Sequence, residues 1–182
     1  LSSRCARHAS RGRAITQEHL FLDPIRVGIC GFGTVGCGTF SVLARNSQDI
    51  AARVGRDVIV THIGARRDNP RCDTGTTRVS RDVFDVVRDP EVDIVVELIG
   101  GCDTARRLVM EAIAAGKHVV TANKALIAEH GNEIFAAASA RGVTVAFEAA
   151  VGGGIPIIKA IREGLAANRI EWVAGIINGT GN

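Results

Sequence analysis

From Asp23 onward, short and nearly continuous apolar runs alternate with longer stretches in which apolar residues recur every three or four positions. The runs predict strands at Ile25–Cys30, Val58–Ile63, Ile94–Val96 (ending on Glu97), His118–Thr121 and Val143–Phe147. The intervening periodicity predicts a helix across 34–54, and a short one capped by Ser80 and closed by Asp89-Pro90. A third, capped by Asp103 or Thr104, carries Leu108, Val109, Ala112 and Ile113 and stops at Gly116. Helices around 125–129 and 132–141 end at Gly142, and a last one follows Pro156 to Gly164. Strands apolar on both faces, each followed by a helix, make an α/β fold with a doubly wound parallel sheet. Ligands of such sheets bind beyond the carboxyl ends of the strands, where strand order reverses. Gly31, Arg66, Glu97, Asn123 and Glu148 all follow predicted strand ends.

The first of these ends carries Gly31-Phe32-Gly33-Thr34-Val35-Gly36, a G-x-G-x-x-G turn between a strand and a helix. Gly31 permits the tight turn, Gly33 lets a pyrophosphate approach the backbone, and Gly36 lets the helix pack on the strand. Helix-start amides and the helix dipole then favour the phosphates. This is a Rossmann-type dinucleotide site. At the end of the second strand, an acidic residue would bind a ribose 2′-hydroxyl and an arginine a 2′-phosphate. Arg66-Arg67 come first and Asp68 only afterwards, so the reading is NADP(H) in preference to NAD(H), with Arg66 the contact.

Three later turns offer further groups. Gly100-Gly101 after Glu97 leave room for a ligand ring, as expected beside a nicotinamide. Glu97 fits either catalysis or the bracing of a loop. Lys124, just past the fourth strand, can place an ammonium on a substrate oxygen, or simply begin a surface helix. The turn Glu148–Pro156, with Gly152-Gly153-Gly154 at its centre, fits a phosphate site, a monovalent-cation site built from carbonyls, or a hinge.

Composition narrows the class. With 182 residues, 46% hydrophobic and 23% charged, the chain suits a globular domain, alone or with the start of a second. The net charge of +3 argues against a nucleic-acid partner and for a small-molecule substrate. Most of that excess lies in residues 1–23, an Arg- and Ser-rich stretch read as a disordered or non-native tail, or alternatively as an organelle transit peptide. No apolar run approaches the roughly 20 residues of a membrane span. Five cysteines without a C-x-x-C pair fit free thiols in a reducing compartment, hence a cytoplasmic location. The polar ending Asn178–Asn182 reads as a break inside a longer protein.

Together with the glycine turn, the segments Val96–Gly101, Gly116–Leu126, Glu148–Pro156 and Gly175–Thr180 closely resemble homoserine dehydrogenase over about residues 25–182. The resemblance implies a dinucleotide-binding domain at 24–150 and, at 151–182, the truncated start of an α+β substrate domain. It implies NADP(H)- or NAD(H)-dependent interconversion of L-homoserine and L-aspartate 4-semialdehyde, on the route to threonine, methionine and isoleucine. Hydride would pass between nicotinamide C4 and the aldehyde carbon while a lysine protonates the alkoxide. On this reading Phe32, Gly33, Thr34 and Val35 contact the cofactor, and Lys124 lies near cofactor and substrate. A sodium ion sits at Glu148, Val151, Gly153 and Ile155, chiefly on carbonyls. The main proton-donating lysine and the substrate-binding acids are expected beyond Asn182, leaving this piece inactive by itself. The complete protein is expected to be a homo-oligomer, and a monomeric piece to expose an apolar edge near Ile170–Ile177. Two other readings stand beside this one, the cofactor domain of another semialdehyde reductase and a non-catalytic nucleotide sensor.

Overall fold

The computed structural model describes residues 22–175. The tail up to residue 21, the end of the apolar edge and the Asn178-Gly179-Thr180 segment lie outside the described residues. In chain order the elements are β1 (Ile25–Cys30), α1 (Thr34–Arg45), α2 (Ser47–Val54), β2 (Val58–Gly64), β3 (Arg78–Ser80) and α3 (Val83–Arg88). They continue with β4 (Ile94–Glu97), α4 (Asp103–Ala114), β5 (His118–Thr121), α5 (Lys124–Arg141), β6 (Val145–Ala146), α6 (Glu148–Val151) and α7 (Ile157–Lys159). A turn of π-helix, Ala160–Gly164, extends α7.

All six strands pair in parallel in the order β3-β2-β1-β4-β5-β6. The order reverses between β1 and β4, whose registers run Val27↔Ile94 to Cys30↔Glu97. Alternation along β1 separates two cores. Val27 and Ile29 join Phe32, Ile63 and Val96 under α1, whereas Cys30 joins Val95, Leu108, Val119, Leu126 and Ile134 under α3, α4 and α5. Each fully buried Leu or Ile here is worth about 1.5–3 kcal/mol of transfer free energy. Helix α3 can approach the sheet because Gly28 and Gly64 have no side chains. A Cβ at Gly28 would stand 2.3 Å from Val86 Cγ1, and one at Gly64 2.8 Å from Val83 Cα.

Several expected boundaries move. The helix expected across 34–54 breaks at Asn46, which ends α1 and begins α2. Ser80 ends a strand instead of capping a helix. The cap is Asp82, whose carboxylate accepts from Phe84 N–H at 3.0 Å. Helix α4 begins after Cys102, so Asp103 lies in its first turn. The two helices expected between 125 and 141 are one, capped by Asn123. Glu148–Val151, expected as part of the Gly-rich turn Glu148–Pro156, is helical.

One buried polar network joins the half of the sheet away from β6. His62, fully enclosed in β2, is 2.7 Å through Nδ1 from Asp89 Oδ2 and 2.7 Å through Nε2 from Ser80 Oγ. Lys117 Nζ donates to the carbonyls of Asp89 and Val92 at 2.6 and 2.5 Å. Burial pushes the Asp89 carboxyl up, but the Glu91 N–H, His62 and Arg78 outweigh it and hold it below its ordinary value. A depressed carboxylate stabilises the fold fully above its unfolded pKa, about 4, and that contribution disappears as pH falls through the native value. Thermal melts from pH 7 to pH 3 are therefore expected to fall less steeply for Asp89→Asn than for the parent. Parallel curves would remove Asp89 from the acid response.

Candidate functional site

Beyond the carboxyl ends of β1 and β2 lies an open cleft of about 770 Å3, whose walls include Gly31, Gly33, Thr34, Arg66, Asn69 and Ile99. The glycine turn shapes its floor, and the three glycines have separate reasons. Gly31 has φ +100°, where a side chain is strained, and a Cβ there would lie 2.6 Å from the Leu98 carbonyl oxygen. At Gly36 a Cβ would meet the Gly31 carbonyl oxygen at 2.1 Å, so the start of α1 packs directly on the turn. At Gly33 nothing lies within 4 Å of a Cβ position. The protein itself does not need a glycine there, and the space is open to a ligand.

The first helical bond of α1 runs from Cys37 N–H to the Gly33 carbonyl at 3.0 Å. The amides before it therefore have no partner within the helix and face the positive dipole end, the arrangement that suits a phosphate. Phe32 is buried, with its ring edge-on to Phe40 at 5.9 Å, so it offers the cleft its backbone. Val35 is exposed and Gly36 buried; neither forms part of the cleft wall.

At the β2 end the arginines and the acid are sorted. Asp68 turns both carboxylate oxygens to Arg81 Nη2, at 2.9 and 3.1 Å. Arg66 and Arg67 are exposed on the cleft wall and make no ion pair among the described residues. Asn69, which the sequence did not single out, donates from Nδ2 to the carbonyls of Phe32 and Gly33 at 3.2 and 3.3 Å. It ties the β2–β3 loop to the glycine turn, a link that only the folded arrangement reveals.

At the other side of the reversal, Glu97 is fully buried and spent on bracing. Its Oε1 accepts from Ile99 N–H at 2.9 Å and its Oε2 from Thr121 Oγ1 at 2.6 Å. Thr121 Oγ1 in turn accepts from Asn123 N–H, and Asn123 Nδ2 donates to the Gly101 carbonyl at 2.6 Å. This chain of bonds holds the Gly100-Gly101 loop against the start of α5, where exposed Lys124 is the first residue. Gly100 has φ +72° and an open Cβ position. Gly100 and Lys124 lie outside the cleft wall, on the β4–β5 side of Ile99.

In the second glycine-rich turn, the Glu148 carboxylate accepts the amides of Ile158 and Lys159, at 2.8 and 3.0 Å. It caps α7, so only its carbonyl faces the neighbouring turn, and that oxygen already accepts from Gly152 N–H. The Ile155 carbonyl accepts from Ile157 N–H, whereas no donor among the described residues reaches the carbonyls of Val151 or Gly153.

A family model described as "Homoserine dehydrogenase, NAD binding domain" matches residues 31–148. The chain belongs to the homoserine dehydrogenase family. The homoserine dehydrogenase of Pseudomonas aeruginosa is 68% identical over 161 residues, covering 88% of this chain and 37% of that protein. That of Neisseria gonorrhoeae is 49% identical over 162 residues, with the same shares. The crystal structure of a homoserine dehydrogenase from Thiobacillus denitrificans superposes with a TM-score of 0.81 at 63% identity, over 86% of this chain and 37% of that one. A hyperthermophilic archaeal homoserine dehydrogenase in complex with NADPH gives 0.66 at 26% identity, over 80% and 50%. The chain thus spans a little over a third of the curated relatives' length, and the matched segment is the family's nicotinamide-cofactor domain. No helix among the described residues is long and apolar enough to cross a membrane.

Proposed function

We propose that this chain is the cofactor-binding part of an enzyme interconverting L-homoserine and L-aspartate 4-semialdehyde, and that it binds NADP(H) in preference to NAD(H). The observation that carries the reading is the open space over Gly33, set among amides with no partner within the helix at the reversal of strand order. The pyrophosphate belongs there, on the start of α1, with Phe32, Thr34 and Val35 alongside. The 2′-phosphate belongs at Arg66, because Asp68 is already engaged by Arg81 and the two neighbouring arginines make no ion pair among the described residues. The nicotinamide, which supplies hydride chemistry at its C4, belongs over Gly100, within reach of the β5 end and Lys124.

Titration with NADPH and NADH tests this directly. NADPH is expected to bind more tightly, and Arg66→Ala to weaken it about 10- to 100-fold while leaving NADH unchanged, the range for one charged hydrogen bond. Tighter binding of NADH by the parent chain would overturn the preference.

The carbonyls of Val151 and Gly153, joined by those of Glu148 and Ile155, are hard oxygen donors suited to a sodium ion. On this reading the ion fixes the turn at the border between the dinucleotide domain, 24–150, and the substrate domain that begins at 151. The remaining substrate-binding acids and the proton-donating lysine belong to the rest of a homo-oligomeric, cytoplasmic enzyme.

A further inference from the structure

Helix α1 and the β2–β3 loop each contribute one cysteine, and the fold brings the two together at the edge of the cleft. Cys37 Sγ is 3.9 Å from the Arg71 carbonyl oxygen, and Cys72 Sγ is 3.7 Å from the Cys37 carbonyl oxygen. Each thiol therefore reaches backbone at or beside the other cysteine, which sets both side chains at one edge of the cleft. Ser41 Oγ, one turn along α1 from Cys37, is 3.9 Å from Cys72 Sγ. Both cysteines are only half-buried, and Cys37 forms part of the cleft wall. The other described thiols lack such a neighbour. Cys30 is fully buried against the Val83 carbonyl, and Cys102 immediately precedes α4.

We propose that Cys37 and Cys72 form a reversible disulfide on exposure to hydrogen peroxide, making this edge of the cleft a site of thiol oxidation. That a bound dinucleotide shields the site rests on the cofactor reading above; formation of the bond does not. The chemistry takes two steps. The Cys37 thiolate attacks a peroxide oxygen, breaking the O–O bond to give a sulfenic acid and hydroxide, which takes up a proton as water. The Cys72 thiolate then attacks that sulfur, the S–S bond forms, and the sulfenic oxygen leaves as a second water. Two thiols lose two electrons and two protons, and one peroxide becomes two waters.

The division of labour follows the environment. Cys37 forms part of the open cleft wall and Cys72 does not, so Cys37 meets the oxidant and Cys72, whose thiol burial pushes up, resolves the product. The bond would pin the β2–β3 loop to α1. Cys72 N–H bonds to the Asn69 carbonyl at 3.0 Å, and the Asn69 side chain already holds the glycine turn.

The test treats the chain with peroxide, blocks remaining thiols and maps tryptic peptides. A link between peptides Val27–Arg45 and Cys72–Arg78, reversed by dithiothreitol and absent in both Cys37→Ser and Cys72→Ser, is the expected result. With NADP+ at ten times its Kd, only about a tenth of the clefts stay open, so the link should form about tenfold more slowly. A link that persists in Cys37→Ser, or oxidation of Cys37 to sulfinic acid with no link, overturns the proposal. A link forming equally fast in the presence of bound NADP+ overturns the shielding. Failure of NADP+ to bind at all, with the link intact, would count against the cofactor reading and leave the disulfide standing.

Discussion

Lys124→Ala, made in the complete enzyme, is expected to lower kcat about 10²–10⁴-fold, the range associated with removing a positioned proton donor or charge stabiliser. The argument begins with a local misfit. Lys124 is the first residue of an 18-residue helix whose first turn contains no acid, so its ammonium faces the positive end of the dipole. That placement works against the helix by about 0.3–1 kcal/mol. No ion pair compensates it among the described residues, and the side chain is exposed. A ligand oxygen beside the braced Gly100-Gly101 loop would give that charge the partner it lacks among the described residues. Because exposed substitutions move stability by only about 0.5 kcal/mol, the melting temperature should hardly change. The check is kcat at saturating L-homoserine and NADP+, with Lys124→Arg as the charge-preserving control. A turnover equal to the parent's would remove Lys124 from the chemistry.

Gly36→Ala and Gly33→Ala should part company in a way that separates glycines kept for the fold from glycines kept for a ligand. At Gly36 the new methyl would lie 2.1 Å from the Gly31 carbonyl oxygen, a backbone atom that cannot swing aside. Helix α1 must lift off the turn, at a cost of about 3 kcal/mol in stability, the upper part of the usual overpacking range. NADPH affinity should fall at least about tenfold as the amides lose their aim. At Gly33, φ is −79° and the Cβ position is empty, so the fold should tolerate alanine or gain slightly from reduced chain entropy. Its NADPH affinity should nevertheless fall, because the methyl occupies the pyrophosphate's space. Melting curves and cofactor titrations on the two variants decide this. Equal cofactor binding by Gly33→Ala and the parent would mean that the phosphates lie elsewhere.

The elements legible in the sequence are those that carry their own signal. Strands β1, β2, β4 and β5 are apolar on both faces, and the Gly31–Gly36 turn advertises its bend. Strand β3 escaped because it is three residues long, Arg78-Val79-Ser80, and joins the sheet through its backbone to β2. Helix α5 runs unbroken where the pattern predicted helices at 125–129 and 132–141; between them Gly131 is buried, and a Cβ there would be 3.3 Å from Phe135, so its smallness serves packing within one helix. Asn46 interrupts α1 and α2 without disturbing the apolar spacing that made them look continuous. Among the candidate site residues, Arg66 and Lys124 stand out in the sequence because each comes just after a strand end. The bracing role open to Glu97 in the sequence is the one it takes, but its partner Thr121, the tie made by Asn69 and the meeting of Cys37 with Cys72 depend on segments converging from more than 20 positions apart. No local pattern records such convergence.

The position of β1 in the sheet has a consequence for the order of events during synthesis. Of the six strands in this sheet it is made first, yet both of its neighbours come later, β2 starting at Val58 and β4 at Ile94. Parallel pairing has no hairpin shortcut, so each edge must wait for a whole crossover to be made and packed. Until Glu97 has emerged, one side of β1 remains an open row of backbone donors and acceptors, the kind of edge that recruits foreign strands. A nascent chain stalled before that point would be sticky, and one stalled just after it would already hold its central three strands.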